Sequence, residues 1–164
     1  MLHVQQINAP QQLDFESIST ALEVETASVP IDKLNWKAFT YQPEVSFRIG
    51  HSEEMLYLKF YVSEAHVLAQ HSQPNTATHR DSCVEFFIDP DQSGGYYNFE
   101  FNCIGTTHLA YGPNRKKRSF VDPDQILDQV FTASTLGTTP FEEKSGPFQW
   151  EMVVALPASL FVHH

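Results

Sequence analysis

The chain is short of several things, and each shortage narrows its function. No run approaches the ~18 apolar residues of a membrane-spanning helix, and the start, MLHVQQINAP, lacks the basic end and apolar centre of a secretory signal. The protein is therefore expected to be intracellular, or secreted or periplasmic with its signal already removed. Basic residues are scarce, 10 Lys and Arg against 20 Asp and Glu, for a net charge of −10. That balance excludes a surface built to neutralise nucleic-acid phosphates. One basic run, RKKR at Arg115–Arg118, reads as a solvated loop, with a localisation or nucleic-acid signal as the alternative. There are two cysteines, Cys83 and Cys103, too few for the count itself to settle pairing. No G-x-S-x-G or phosphate-loop motif occurs, and QSGGYY is a turn with no helix after it. Internal repeats and low-complexity tracts are absent, and helix signals are few.

What is present points to strands. The 164 residues suit one domain, 1–164, with 1–32 as a less defined N-terminal segment. Thirteen Phe and six Tyr favour β-structure. Val45, Phe47 and Ile49 alternate with polar residues in EVSFRIG (44–50), as do Leu56, Leu58, Phe60 and Val62 in MLYLKFYVSE (55–64). THLAYG (107–112), QVFTAS (129–134) and FQWEMVVALP (148–157) continue the series, separated by Pro, Gly, Asn and Asp. The spacing predicts an all-β, antiparallel β-sandwich of jelly-roll or immunoglobulin-like type with little helix. A short helix is expected within Asp14–Glu25, capped by Asp14 with Ile18 and Leu22 on one side. Gly112 to Pro123 reads as a long loop. Trp150, in phase with Met152 and Val154, belongs to the core, and Trp36 reads as a loop anchor packed on the sandwich.

The most informative stretch is CVEFFIDPDQSGGYYNFEFN (83–102). Asp89, Asp91, Ser93, Gly94 and Glu100 fall on positions 1, 3, 5, 6 and 12 of a calcium-binding EF-hand loop. The flanks read as strands, however, and Pro90, Asp91, Ser93, Gly94 and Gly95 are turn residues, so a hairpin with a loop at 91–94 is predicted instead. A calcium ion elsewhere on the sandwich stays open. Matching the apolar faces places Ile88 opposite Tyr97, Phe86 opposite Phe99, and Val84 opposite Phe101. On the other face Phe87 meets Asn98, Glu85 meets Glu100, and Cys83 meets Asn102. Cys83 and Cys103 then lie on opposite sides of the sheet, and no disulfide is expected. Two carboxylates directly opposed are unfavourable unless something offsets them. A neighbouring cation such as Arg80, a bound ion, a shared proton or a ligand rich in hydroxyls would each do so. Two readings of this polar face remain: a solvated sheet surface with salt bridges, or a sugar site in which carboxylates and amides meet hydroxyls while an aromatic ring covers the apolar C–H face.

The segment DSCVEFFIDPDQSGGYYNFEFNCIGTTHLAYG resembles the core of the family 9 carbohydrate-binding modules, in particular a family-9-like branch in bacterial polysaccharide-utilising proteins. LNWKAFTYQPEVSFRIGHSEEMLYLKFYVSE and FQWEMVVALP resemble the same family, so the likeness spans roughly residues 33–160. It implies a β-sandwich, non-catalytic glycan binding often at chain ends, and structural calcium in some members. The sugar-contacting Glu of the family's VE pair falls on Glu85, and the Asn closing the next strand falls on Asn102. The family's Arg two positions earlier is Glu100 here. No Trp precedes the VE strand, where His79 or Arg80 sits nearest, and the family's later Trp has no placed counterpart. The family continues with further strands where this chain ends at LFVHH, so a shortened C-terminus is expected.

These residues combine into one expectation: carbohydrate binding without catalysis, with Glu85 and Asn102 on hydroxyls, Glu100 and Asn98 in support, and Phe87 or Tyr111 as the apolar face. Arg80 is the expected counter-charge. A catalytic partner domain or protein is expected by resemblance. Two other classes stand beside it. One is a xylanase-like glycoside hydrolase using Glu85 and Glu100, with Glu151 sharing their face. The other is a haem- or metal-binding sandwich drawing on His66, His71, His79 and His108, although these show no ligand spacing on one element.

Overall fold

A computed structural model of the chain describes residues 2–36, 38 and 40–161. The alternation read from the sequence resolves into two sheets. In chain order the elements are β1 (Gln5–Gln6), α1 (Phe15–Glu25), β2 (Val29–Pro30), β3 (Glu44–His51), β4 (Met55–Ala69), β5 (Cys83–Ile88), β6 (Tyr96–Asn102), β7 (Thr107–Gly112), β8 (Ser119–Phe120), α2 (Pro123–Gln129), β9 (Phe131–Ser134) and β10 (Phe141–Pro157). One sheet runs β1-β3-β4-β10-β9, with β2 also paired to β3; the other runs β5-β6-β7-β8. All pairs are antiparallel except β1 with β3. The expected β-sandwich forms. Residues 162–164, at the expected shortened C-terminus, lie outside the described residues. No described helix is long and apolar enough to cross a membrane.

Period-2 alternation builds the core. Tyr97, Phe99 and Phe101 of β6 are fully buried, and their cluster includes Phe60 and Val62 of β4 and Trp150, Met152 and Val154 of β10. Trp150 is core, as its phase predicts, and its Nε1 donates to Glu64 Oε1 at 2.7 Å. A second cluster lies on the outer face of the larger sheet, where Ile18 and Leu22 of α1 pack with Ile7, Tyr57, Val153 and Ala155. Helix α1 starts as predicted, with Asp14 accepting from the Ser17 amide at 2.7 Å. Lys59 is buried on this same outer face. Its ammonium is fully compensated by Glu23 at 2.6 Å, Glu151 at 2.8 Å and Ser19 Oγ at 2.7 Å. Glu151 therefore does not share a face with Glu85 and Glu100, contrary to expectation: alternation within β10 gives a phase but not the sheet to which the strand belongs.

The hairpin register is the one expected, from Cys83↔Asn102 through Glu85↔Glu100 to Ile88↔Tyr97. Cys83 and Cys103 are both free thiols, the latter buried in the core. The connection is wider than a tight four-residue loop, because the strands stop at Ile88 and Tyr96. Asp91 Oδ1 accepts from the Ser93 amide and Asp89 Oδ2 from the Gly94 amide, each at 3.1 Å. Gly94 adopts φ +89°, which favours glycine. The oxygens that an EF-hand would aim at an ion thus hold turn amides, and the flanking segments are strands. The expected loop after Gly112 contains β8, and α2 follows it at once. Helix α2 was not expected; Asp122 caps it by accepting from the Asp124 amide at 2.8 Å, and Pro123 occupies its first turn. A helix this short carries too little periodicity to announce itself.

Because Phe99 is fully enclosed between the sheets, Phe99→Ala should lower stability by about 3–5 kcal/mol, read as a shift of the urea midpoint with unchanged slope.

Candidate functional site

The outer face of the smaller sheet is laid out in two register rows. One runs Phe87↔Asn98↔Ala110↔Phe120 across β5, β6, β7 and β8. The next runs Glu85↔Glu100↔His108. Three strand spacings separate the edge strands, about 14 Å between the Cα atoms of Phe87 and Phe120. Both rings are exposed, at 53% and 64%, while Asn98 between them is fully buried and Ala110 is small. The first row is therefore a trough with a ring on each edge and an amide on its floor.

Loops raise the trough into a cavity of about 790 Å³, within the range of small-ligand sites. Asn75, Thr76 and Ala77 wall one side; Arg115 and Arg118 enter from the β7–β8 connection. That connection lies against β7 at Gly112, where a Cβ would collide with the Lys117 and Arg118 backbone. Trp36 and Tyr96 add two more rings. Trp36 is 71% exposed, so the sequence expectation of a ring packed on the sandwich is corrected: it lines the cavity. The basic run is a loop, as read, but two of its arginines face the cavity rather than bulk solvent alone.

Charge on the floor is unevenly compensated. Glu100 is buried; its Oε2 accepts from Thr78 Oγ1 at 3.1 Å and its Oε1 from Asn98 Nδ2 at 3.0 Å. His79 Nδ1 lies 3.5 Å away. Glu85 keeps solvent-accessible surface, yet desolvation by neighbouring atoms pushes its carboxyl above the ordinary glutamate range. The Glu100 carboxylate adds to the rise, and His79, Arg118 and Arg115 oppose it without cancelling it. Burial lowers the pKa of His108. Three buried side-chain polar atoms among the described residues lack a partner: Asn98 Oδ1, His108 Nδ1 and Gln129 Oε1. The first two belong to residues of this cavity.

Of the residues singled out in the sequence, the cavity gathers Glu85, Asn98, Glu100 and Phe87. It does not gather Asn102, Tyr111 or Arg80. Asn102 is fully buried, with Nδ2 donating to His71 O at 2.7 Å and Asp81 Oδ2 at 2.8 Å, and Oδ1 accepting from the Thr106 amide at 2.8 Å. Asp81 in turn accepts from the Gln70 and His71 amides, each at 3.0 Å. Burial works against this carboxylate, but the hydrogen bonds prevail and hold its pKa below the usual range. Tyr111 pairs with Tyr97 and packs against the core, ring centroids 4.6 Å apart; it shares the phase of Leu109, which could have shown its inward direction. Arg80 is exposed and outside the cavity. The basic groups acting on Glu85 are instead His79, Arg118 and Arg115. Trp36 and Phe120 were missed as site residues, and His108 was considered only as a haem or metal ligand, not for this face. Only the alternation of His108 with Leu109 carried a local signal.

Two outcomes follow. Asn102→Ala should cost about 1–3 kcal/mol for the polar groups it orphans, measured by chemical denaturation. For Glu85→Gln the sign follows from the raised carboxyl: the folded state holds that proton more tightly than the unfolded chain, so wild-type stability falls as pH rises through the ordinary glutamate range to the raised value. At neutral pH the amide variant should be more stable by about 0.2–1 kcal/mol, the scale of an opposed cross-strand pair. The two melting curves should converge in acid; a gap independent of pH would refute the opposed-charge account.

Comparisons with known proteins bear on the family and the fold. The model of carbohydrate-binding family 9 matches residues 16–164. The crystal structure of a candidate carbohydrate-binding protein from Bacteroides uniformis superposes with a TM-score of 0.92 at 36% identity, over 99% of this chain and 75% of that one. No curated protein matches the chain. On the family match over most of its length, the chain belongs to carbohydrate-binding family 9.

Proposed function

We propose that this family 9 module, whose function is non-catalytic carbohydrate binding, holds its sugar in the trough of the smaller sheet. The observation that carries the placement is the row Phe87–Asn98–Ala110–Phe120. Exposed rings at both edges suit the apolar C–H faces of a pyranose, and the unpartnered Asn98 Oδ1 between them calls for a hydroxyl donor. Glu85 adds a carboxylate with no hydrogen-bond partner among the described residues, and Glu100 orients Asn98. Asn102, on the same face at the end of β6, ties that strand to the β4–β5 connection beside the floor. A second cavity of about 570 Å³ lies on the outer face of the larger sheet, lined by Tyr61, Gln149 and Glu151. No buried unpartnered atom belongs to its lining residues, which favours the trough.

The hydrolase reading has less support. Both oxygens of Glu100 already accept hydrogen bonds from protein groups, so Glu85 and Glu100 are not two free carboxyls flanking a bond. The resemblance makes a glycan-degrading partner domain or protein the natural setting for such a module.

A glycan array followed by calorimetry tests the site. Wild type should bind, and Glu85→Ala should lose binding with an unchanged or slightly raised Tm. Phe87→Ala and Phe120→Ala should each weaken binding about threefold to tenfold. Wild-type affinity in all three variants would place the sugar elsewhere.

A further inference from the structure

The floor of the cavity is short of one kind of group. Asn98 Oδ1 is buried without a donor. Among the described residues, Glu85, directly opposite Glu100, accepts no hydrogen bond, and no Lys or Arg lies within 4.0 Å ion-pair distance of either carboxylate. His108 Nδ1, also buried without a partner in the same row as the two glutamates, is a third acceptor when the neutral ring carries its proton on Nε2. Acceptors thus converge on the floor, while the guanidinium donors of Arg115 and Arg118 stand on the cavity wall, beyond ion-pair distance of the two carboxylates.

A hydroxyl supplies one donor and no charge; an ammonium supplies three donors and a full positive charge. The flanking rings of Phe87, Phe120 and Tyr96 favour a cation as well. Resting on the carbohydrate-binding reading above, we infer that the cavity selects an amino-hexose unit bearing a free, protonated amine, with the ammonium seated between Glu85, Asn98 Oδ1 and His108. Arg115, Arg118 and His79 also line the cavity and oppose a cation. Their pull on Glu85 is nonetheless outweighed by burial and Glu100, which leaves that carboxyl with a heightened hold on a proton. An ammonium answers the same demand.

Calorimetry with chain-length-matched β-1,4 oligomers of glucosamine, N-acetylglucosamine, glucose and a hexuronate tests this at neutral pH, in low and high salt. Monosaccharide pairs (glucosamine with glucose, galactosamine with galactose) extend the test beyond one linkage. The free-amine ligands should bind at least tenfold tighter than their neutral counterparts. That preference should shrink in high salt and collapse in Glu85→Gln, while the remote exposed Glu53→Gln retains it. Neutral sugars binding as tightly as amines would overturn the amine assignment and leave the carbohydrate site standing. A preference for the hexuronate would also overturn it, shifting selectivity to Arg115 and Arg118. Binding of none of these ligands would remove both the assignment and the placement of the site.

Discussion

Everything on the binding side of this molecule depends on one strand being buried on both faces. Strand β6 turns Tyr97, Phe99 and Phe101 into the sandwich, all three fully enclosed. Slipping it by one residue would drive Asn98, Glu100 and Asn102 into that apolar layer. Register is therefore fixed by the aromatic face, and the polar face must accept whatever position results. The loops at 75–77 and 113–118 then wall that polar face, and Asn98, Glu100 and His108 are too buried to be simply hydrated. They need partners from protein or ligand.

Along β6 those partners thin out in one direction. Asn102 is complete, tied to His71, Asp81 and Thr106, and so pins the β4–β5 connection to the sheet. Glu100 has both oxygens occupied. Asn98 donates to Glu100 and leaves its own oxygen unpartnered. The strand grades from a structural anchor to an unfinished site within five residues. The family resemblance covers both ends of the strand alike, so it implies a ligand role for Asn102, whose polar atoms are instead taken up within the protein.

The hairpin register was legible because only one face of each strand is apolar, which leaves a single self-consistent pairing. The Asp14 cap, the Ile18–Leu22 face of α1 and the core position of Trp150 were legible for the same local reasons. What escaped was nonlocal. Trp36 and Phe120 reach the cavity through a loop and a two-residue strand with no periodicity of their own. Arg115 and Arg118 turn inward only because Gly112 lets the connection lie against β7. Tyr111 is a different failure: its direction follows from Leu109 two residues earlier, but its chemistry invited a place on the sugar face. Strand β10 exceeds its predicted length because irregularities between Phe141 and Lys144, and between Ser145 and Phe148, break the alternation.

Two buried charges, Lys59 and Asp81, contrast with the solvent-accessible Glu85 and set the gap at Asn98 and Glu85 apart. Lys59 is enclosed and meets two carboxylates and a hydroxyl. Asp81 is enclosed and gathers backbone and side-chain donors until its carboxylate is favoured despite burial. The same chain thus compensates buried charge fully where the role is to hold strands and helix together. At Glu85 compensation is incomplete, burial and a like charge dominate, and the neighbouring amide oxygen is unpaired. The larger sheet already has α1 packed over part of its outer face through Lys59 and the Leu22 cluster. The smaller sheet instead holds its rings apart at the edges and leaves acceptors on the floor between them. Such a deficit costs folding stability, and under the proposed placement the donors of a bound sugar would remove it.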